Sequence, residues 1–272
     1  MSRDKPIISL LTDFGHQDVY VGVMKTVILR INPNVTFVDL THDVGPFAVR
    51  EAAFKLATAY SYFPPETIHL VIVDPGVGTT RRAILASGKN YYFIAPDNGV
   101  LSYALELDQV EHLVNITEEH YFLKPVSQTF HGRDIFAPTS GWFSKTFDPD
   151  LFGERVEKFV KLDRMWPTLN HAGNLIGEVV YCDRFGNAVT NLSLEREEMV
   201  RAALDSGRVR LRVGSTWVSS IKTHFAQCEP GVLSAIAGSS GFVELVVREG
   251  SARASRGIDP GTSVELMAHG RG

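Results

Sequence analysis

Four aspartates stand where an apolar run gives way to a turn: Asp13, Asp39, Asp74 and Asp97. Each alone is an ordinary turn or helix-cap residue. Several such acids on one rim are a different matter, because crowded like charges cost stability unless something binds among them. Arg81 and Arg82 follow the turn Asp74-Pro75-Gly76-Val77-Gly78-Thr79, whose small residues let the backbone approach a ligand. No Gly-Lys-Ser/Thr follows, so this is not a Walker A loop, and no GxGxxG opens a helix there. His131 lies between an aromatic residue and a glycine in Phe130-His131-Gly132-Arg133-Asp134, about to enter a helix whose amino end favours the neutral imidazole. A lone histidine is more often a hydrogen-bonded structural residue than a catalyst. Asp183-Arg184-Phe185-Gly186-Asn187 is either a five-residue hairpin loop or a tip joining an acid, an exposed aromatic and an amide, a set that suits a purine base and an ammonium group. Gly238-Ser239-Ser240-Gly241 has the composition of a plain turn.

Strands and helices must hold these residues in place. Pro6 to Leu11, Val35 to Leu40, Ile68 to Val73 and Tyr91 to Ala95 have the character of buried strands. Between them Val19, Val23, Met24, Val27 and Ile28 recur at helical spacing, as do Val49, Ala52, Ala53, Leu56 and Tyr60. Strand and helix in alternation predict a mostly parallel sheet covered on both faces, with ligands outside the carboxyl ends of its strands. From about Leu175 the chain changes to short strands separated by Gly, Asp, Asn or Ser, predicting a smaller all-β, barrel-like domain in which only Glu195 to Leu204 looks helical. The domains are expected at 1–165 and 172–272, with Met165 to Asn174 as the linker region.

Composition bounds the function. The 272 residues are 44% apolar and 21% charged, which excludes a disordered chain or a coiled coil. With 27 Lys+Arg against 31 Asp+Glu, no basic excess exists to neutralise a phosphate backbone, so nucleic acid is not an expected partner. Cys182 and Cys228 lack zinc-ligand spacing and read as thiols of a reducing compartment. The amino-terminal apolar run, Ile7 to Leu11, is too short for a membrane span or a signal peptide. A soluble, cytoplasmic protein is expected.

Several motifs occur in one order: LTDFG at 11–15, VDPGVGTTRR at 73–82, PDNGVLS at 96–102, FHGRDIFAP at 130–138 and DRFGNAVTN at 183–191. Together they resemble the adenosine-forming S-adenosylmethionine hydrolases, or S-adenosylmethionine hydroxide adenosyltransferases, whose relatives are the fluorinase and chlorinase enzymes. The resemblance spans nearly the whole chain. It implies an α/β amino-terminal domain, a barrel-like carboxy-terminal domain, and a homotrimer with active sites between subunits. It places the family's catalytic trio on Asp74, Arg81 and His131 and its ribose-binding acid on Asp13. It places the methionine-facing acid on Asp18 and the covering aromatic on Phe47, where the halogenases carry tryptophan. The acid, aromatic and amide of the second-domain turn fall on Asp183, Phe185 and Asn187. Ser239 matches a contact to the methionine end, and Ser240 replaces the arginine that the fluorinase has next.

The implied chemistry suits these residue types. A sulfonium already makes methionine a good leaving group, so no metal or other cofactor is expected. What is missing is a nucleophile at C5′ of the ribose, which an oriented and partly deprotonated water would supply. His131 and Asp74 would share the proton work while Arg81 keeps Asp74 ionised. Three alternatives stand beside hydrolysis: a non-catalytic adenosine or S-adenosylmethionine sensor, a halide-using relative, and a metal-dependent phosphoesterase built on Asp13, Asp74, Asp97 and His131.

Overall fold

A mostly apolar run followed by a polar turn has little choice but to become a buried strand, and β1 (Ile7–Thr12) does so, its last five residues fully buried. The computed structural model describes residues 5–163, 165–206 and 209–267. The chain divides into two units, Met1–Asp163 and Arg164–Gly272.

In the first unit β1 is followed by α1 (Tyr20–Ile31), β2 (Thr36–Thr41), α2 (Val49–Ala59), β3 (Ile68–Ile72), β4 (Ala83–Ser87), β5 (Tyr92–Pro96), α3 (Ser102–Leu107), β6 (His112–Ile116), α4 (Ala137–Thr146) and β7 (Gly153–Arg155). Their order in the sheet is β2-β1-β3-β5-β4-β6-β7. Helix α1 buries Val21, Met24, Val27 and Ile28, whereas Val19, expected on that stripe, lies ahead of the first turn and is exposed. Alternation along the strands feeds two cores. Ile8 and Leu10 pack with Met24, Phe136 and Phe143 on one face, and Leu11, Val71 and Val73 with Leu56 and Leu101 on the other. This is the two-faced burial that the unbroken apolar runs predict, except in β2, which lies at the sheet's edge with none of its residues fully buried.

The expectation of a mostly parallel sheet needs correcting. β2, β1, β3 and β5 are parallel neighbours, but β4 runs antiparallel to β5 and β6, and β7 antiparallel to β6. The sheet is mixed. Strand β4 comes from Ala83–Ser87, a five-residue run that the sequence pattern does not single out. The connection from β4 to β5 closes within Gly88 to Tyr91, where Gly88 N–H donates to the Tyr91 carbonyl at 2.9 Å. A link that short cannot hold a crossover helix, so the pair must be antiparallel.

The second unit contains β8 (Thr168–Leu169), β9 (Leu175–Cys182), β10 (Ala188–Ser193), α5 (Glu198–Ser206), β11 (Leu211–Val213), β12 (Thr216–Val218), β13 (Ile221–Lys222), β14 (Leu233–Ala237), β15 (Phe242–Val247), α6 (Ala252–Arg256) and β16 (Ser263–Leu266). Its strands follow the order β12-β11-β16-β9-β10-β15-β14-β13, with β8 added on β9. All pairs are antiparallel except β13 with β14. The two ends of that path, β12 and β13, are consecutive in the chain, so the sheet curls back on itself around a core that includes Val179, Leu192, Val243 and Leu245. The unit is not purely β. α5 buries Val200 and Ala203, and the short α6 was not expected. The stretch expected as a linker instead supplies β8, which pairs with β9 across a turn where Asn170 N–H donates to the Asn174 carbonyl. Among the short strands of this unit the sequence pattern predicts one from Arg208 to Val213; β11 begins at Leu211, and Arg208 lies outside the described residues. Among the described residues no helix is long and apolar enough to cross a membrane.

Candidate active site

Thr12 and Ile72 are register partners on adjacent parallel strands, so Asp13 and Asp74 leave the sheet along the same edge. The antiparallel β4 does the rest. Its amino end, facing Pro96 at the end of β5, lies on that same edge and delivers Arg81 and Arg82 there. Arg81 Nε donates to both Asp74 oxygens, at 2.9 and 3.0 Å, and Arg81 Nη2 donates to Oδ2 as well. Arg81 Nη2 also lies 2.9 Å from Nδ1 of His131. A guanidinium has only donors, so His131 Nδ1 must accept, and the neutral ring carries its proton on Nε2. Burial pushes the His131 pKa below its ordinary value and the Arg81 charge pushes the same way, with Asp74 and Asp134 opposing. All three side chains are largely withdrawn from solvent.

Two loops meet to bring His131 to this position. Gly78 has a φ of +77°, and a Cβ there would sit 2.3 Å from the Gln128 carbonyl oxygen. Only glycine permits that approach. The far loop is tied by Asp134, a fully buried carboxylate that accepts Ser127 N–H at 2.8 Å and is gripped by Arg133 Nε and Nη2 at 2.6 and 2.9 Å. From His131 the chain enters a π-helical turn, Gly132–Phe136, before α4 begins. Turns of that kind recur at functional sites.

These groups border a cavity of about 570 Å³ whose lining includes Asp13, Phe47, Asp74 and His131. Asp13 Oδ2 accepts Phe47 N–H at 2.9 Å, and Phe47 holds a φ of 63°, a left-handed conformation that a bulky residue rarely adopts. Burial raises the Asp13 pKa; backbone N–H groups oppose this, and the Asp74 charge adds to the rise. The remaining wall was not anticipated. Phe14, Tyr20 and Phe130 form a cluster with centroids 5.1–6.0 Å apart, which the LTDFG and FHGRD motifs bring together only through tertiary contact.

The other expected residues fall elsewhere. Asp18 is exposed ahead of α1 and is not among the residues lining the cavity. Asp39 binds Lys25 at 2.6 Å. Asp97 accepts Arg82 Nε at 2.9 Å and Val160 N–H at 2.7 Å, fastening the chain that leaves β7. Of the four strand-end acids, two therefore face the cavity. The phosphoesterase alternative loses its ligands, since Asp74 and Asp97 are each held by an arginine. Among the described residues no three His, Cys, Asp or Glu side chains converge as a metal requires.

In the second unit Asp183, Phe185 and Asn187 share the hairpin between β9 and β10. Asp183 Oδ1 accepts Phe185 N–H and Asn187 N–H, both at 2.9 Å, and Oδ2 accepts Asn187 Nδ2 at 2.9 Å. This leaves Phe185 77% exposed at the tip. Gly186, at φ +82°, lies against Ser251, where a Cβ would sit 2.0 Å from Oγ. Glu244 stands near Asp183, its pKa raised by burial and then by the Asp183 charge. Ser239 is exposed on the separate turn between β14 and β15.

The sheet edge of the first unit gathers Asp13, Asp74, Arg81 and His131, and a curled β unit follows it in the chain. Family models for the SAM hydroxide adenosyltransferase N-terminal and C-terminal domains match residues 8–153 and 177–265. The chain belongs to that family. A curated relative from Thermus thermophilus, named (R)-S-adenosyl-L-methionine hydrolase, is 35% identical over 96% of this chain and 99% of its own. A relative of the same name from Methanocaldococcus jannaschii is 34% identical over 88% of this chain and 87% of its own. The crystal structure of a conserved protein from Thermotoga maritima matches with a TM-score of 0.88 at 38% identity, covering 96% of this chain and 100% of that one.

Proposed function

We propose that this protein is an enzyme that hydrolyses S-adenosyl-L-methionine to adenosine and L-methionine, with the R form of the substrate named for its relatives as the preferred one. The observation that carries the reading is Arg81 bound at once to Asp74 and His131 beside a cavity that also holds Asp13. A water oxygen forms the new bond to C5′, the C5′–S bond breaks, and its electron pair leaves with methionine as a neutral thioether. His131 offers Nε2–H to the water oxygen. Its Nδ1 lone pair is taken by Arg81, so the water proton passes to Asp74, whose oxygens keep lone pairs beyond those engaged by Arg81. Asp13 grips the ribose hydroxyls, and Phe47 covers the sugar. Asp18 and Ser239 act on the methionine end, and Asp183, Phe185 and Asn187 complete the pocket from another subunit of a homotrimer. The barrel-like second domain supplies that turn. No cofactor takes part, and the reaction belongs to the cytoplasm.

Water rather than halide is the nucleophile because Asp74 is an anion. At an effective dielectric near 20, two like charges ~4 Å apart repel by roughly 4 kcal/mol. Arg81 offsets part of that, so discrimination is strong without being absolute. The test incubates purified protein with each sulfonium epimer in turn, with and without EDTA and in high chloride or fluoride, resolving products by chromatography. Adenosine and methionine are expected, faster from the R epimer and unaffected by chelator. A 5′-halo-5′-deoxyadenosine as main product, or activity restored only by a divalent metal, overturns the assignment. Binding without turnover makes the protein a sensor.

A further inference from the structure

The turn that carries Asp13 is held from behind by a chain of buried polar groups. Thr12, fully buried at the end of β1, accepts Phe14 N–H at its Oγ1 (3.2 Å), and the same oxygen lies 2.9 Å from His42 Nδ1. His42 follows β2 and is also fully buried, and its carbonyl accepts Gly15 N–H at 2.8 Å. Its Nε2 lies 3.1 Å from Asp39 Oδ1, facing the carboxylate though not aligned as a hydrogen bond. Lys25 holds the other oxygen of Asp39 at 2.6 Å.

The polarity of the chain follows from its ends. An ionised carboxylate beside Nε2 has only lone pairs to offer, so the imidazole proton belongs on Nε2. Nδ1 is then an acceptor, and the Thr12 hydroxyl points its hydrogen at it. That leaves the oxygen's lone pairs for Phe14 N–H. Burial holds His42 in its neutral form, its pKa below the ordinary value although Asp39 opposes this. His42 thus touches the Asp13–Gly15 turn twice, through Thr12 and through its own carbonyl, yet it is not among the residues lining the cavity.

We propose that His42 is a positioning residue for substrate binding: it fixes the Asp13–Gly15 turn so that the Asp13 carboxylate meets the ribose hydroxyls in one orientation. The proposal rests on the reading of the cavity as an S-adenosylmethionine site. Because the contact acts on a binding group, its loss is read in KM more than in kcat.

Thr12→Val keeps the shape of the side chain and removes the hydroxyl; KM is expected to rise about tenfold, roughly the worth of one buried hydrogen bond, with kcat nearly unchanged. Thr12→Ser restores the hydroxyl and is expected to restore KM. At His42 the order of two variants is diagnostic. His42→Asn keeps a polar atom near the place of Nδ1 and is expected to stay within a few-fold of wild type, whereas His42→Gln reaches toward the place of Nε2 and is expected to resemble Thr12→Val. Each variant is assayed well below its own melting temperature, and if the His42 variants fail to fold the Thr12 pair decides. Hydrogen exchange at the Phe14 amide reports the chain without any substrate, and protection is expected to fall in Thr12→Val. If wild type releases no adenosine, the functional reading fails, while unchanged Phe14 protection overturns the positioning chain. An unchanged KM in Thr12→Val, or His42→Gln binding better than His42→Asn, overturns it as well.

Discussion

At His131 the proton sits on Nε2 because Arg81 Nη2, 2.9 Å from Nδ1, has only hydrogens to offer. The same guanidinium keeps Asp74 an acceptor. In the proposed mechanism the trio is a donor and a base set side by side by one arginine, and it should fail as a unit. His131→Ala is expected to lower kcat by about 10²-fold, the order of cost of a misplaced nucleophile once its donor is gone, with little change in substrate affinity because the proposed ribose contacts, Asp13 and Phe47, are untouched. Steady-state kinetics with a parallel binding measurement checks this, and near-normal kcat returns His131 to a structural role. By NMR its imidazole is expected to titrate below the ordinary histidine range, since burial and then Arg81 disfavour the cation. Titration at or above that range contradicts the Arg81–His131 geometry.

At the scale of elements, the site depends on how loops approach one another. Gly78→Ala puts a methyl group 2.3 Å from the Gln128 carbonyl, at a φ of +77° that a side chain resists. The loops carrying Asp74 and His131 must then separate. A displacement near 1 Å can cost about 10²-fold in rate, so activity is expected to fall on that order while circular dichroism stays native. Full activity in that variant removes the loop contact from the argument. Strand β3 carries a different dependence. His69, fully buried between β1 and β5, accepts or donates at 2.6 Å to Ser9 Oγ and stacks on Phe93, and burial lowers its pKa to about 3. A histidine depressed in the fold leaves stability intact above its unfolded value, near 6.5, and removes it as pH falls toward the folded value. The loss is roughly 1 kcal/mol per pH unit across that window. Urea midpoints measured from pH 7 to pH 5 are expected to decline, and the decline to flatten in His69→Gln. An equal slope in both proteins contradicts the assignment.

At the scale of the molecule, the two polar clusters belong to separate units, with Asp74 and His131 in the first and Asp183 and Asn187 in the second. If the site is shared between subunits, each unit can be inactivated in a different chain. Inactive Asp74→Ala protein mixed with inactive Asn187→Ala protein is expected to recover part of the activity once subunits exchange. Light scattering is expected to report a trimer in both variants. Exchange shown by labelled subunits without recovered activity argues against the shared site, and so does a monomer.

The strand-end acids, the glycine turn and the FHGRD stretch were legible in the sequence because each is a local pattern: an apolar run, then residues that only a turn tolerates. Such patterns also place the helices, since Asn32-Pro33 must stop α1 wherever it packs. The choice among the four acids was not legible. Asp39 and Asp97 have the same local setting as Asp13 and Asp74, and only the cavity, which the second pair lines and the first does not, separates the groups. Nor was the orientation of β4 visible, because it depends on pairing across the sheet; yet that antiparallel strand is what brings Arg81 to Asp74. The sequence by itself determined which residues could do chemistry and the elements that bear them, since propensity and period act over a few neighbours. Only the tertiary structure decided which of them share a cavity and which way each proton points, because those are contacts between residues as far apart in the chain as Arg81 and His131.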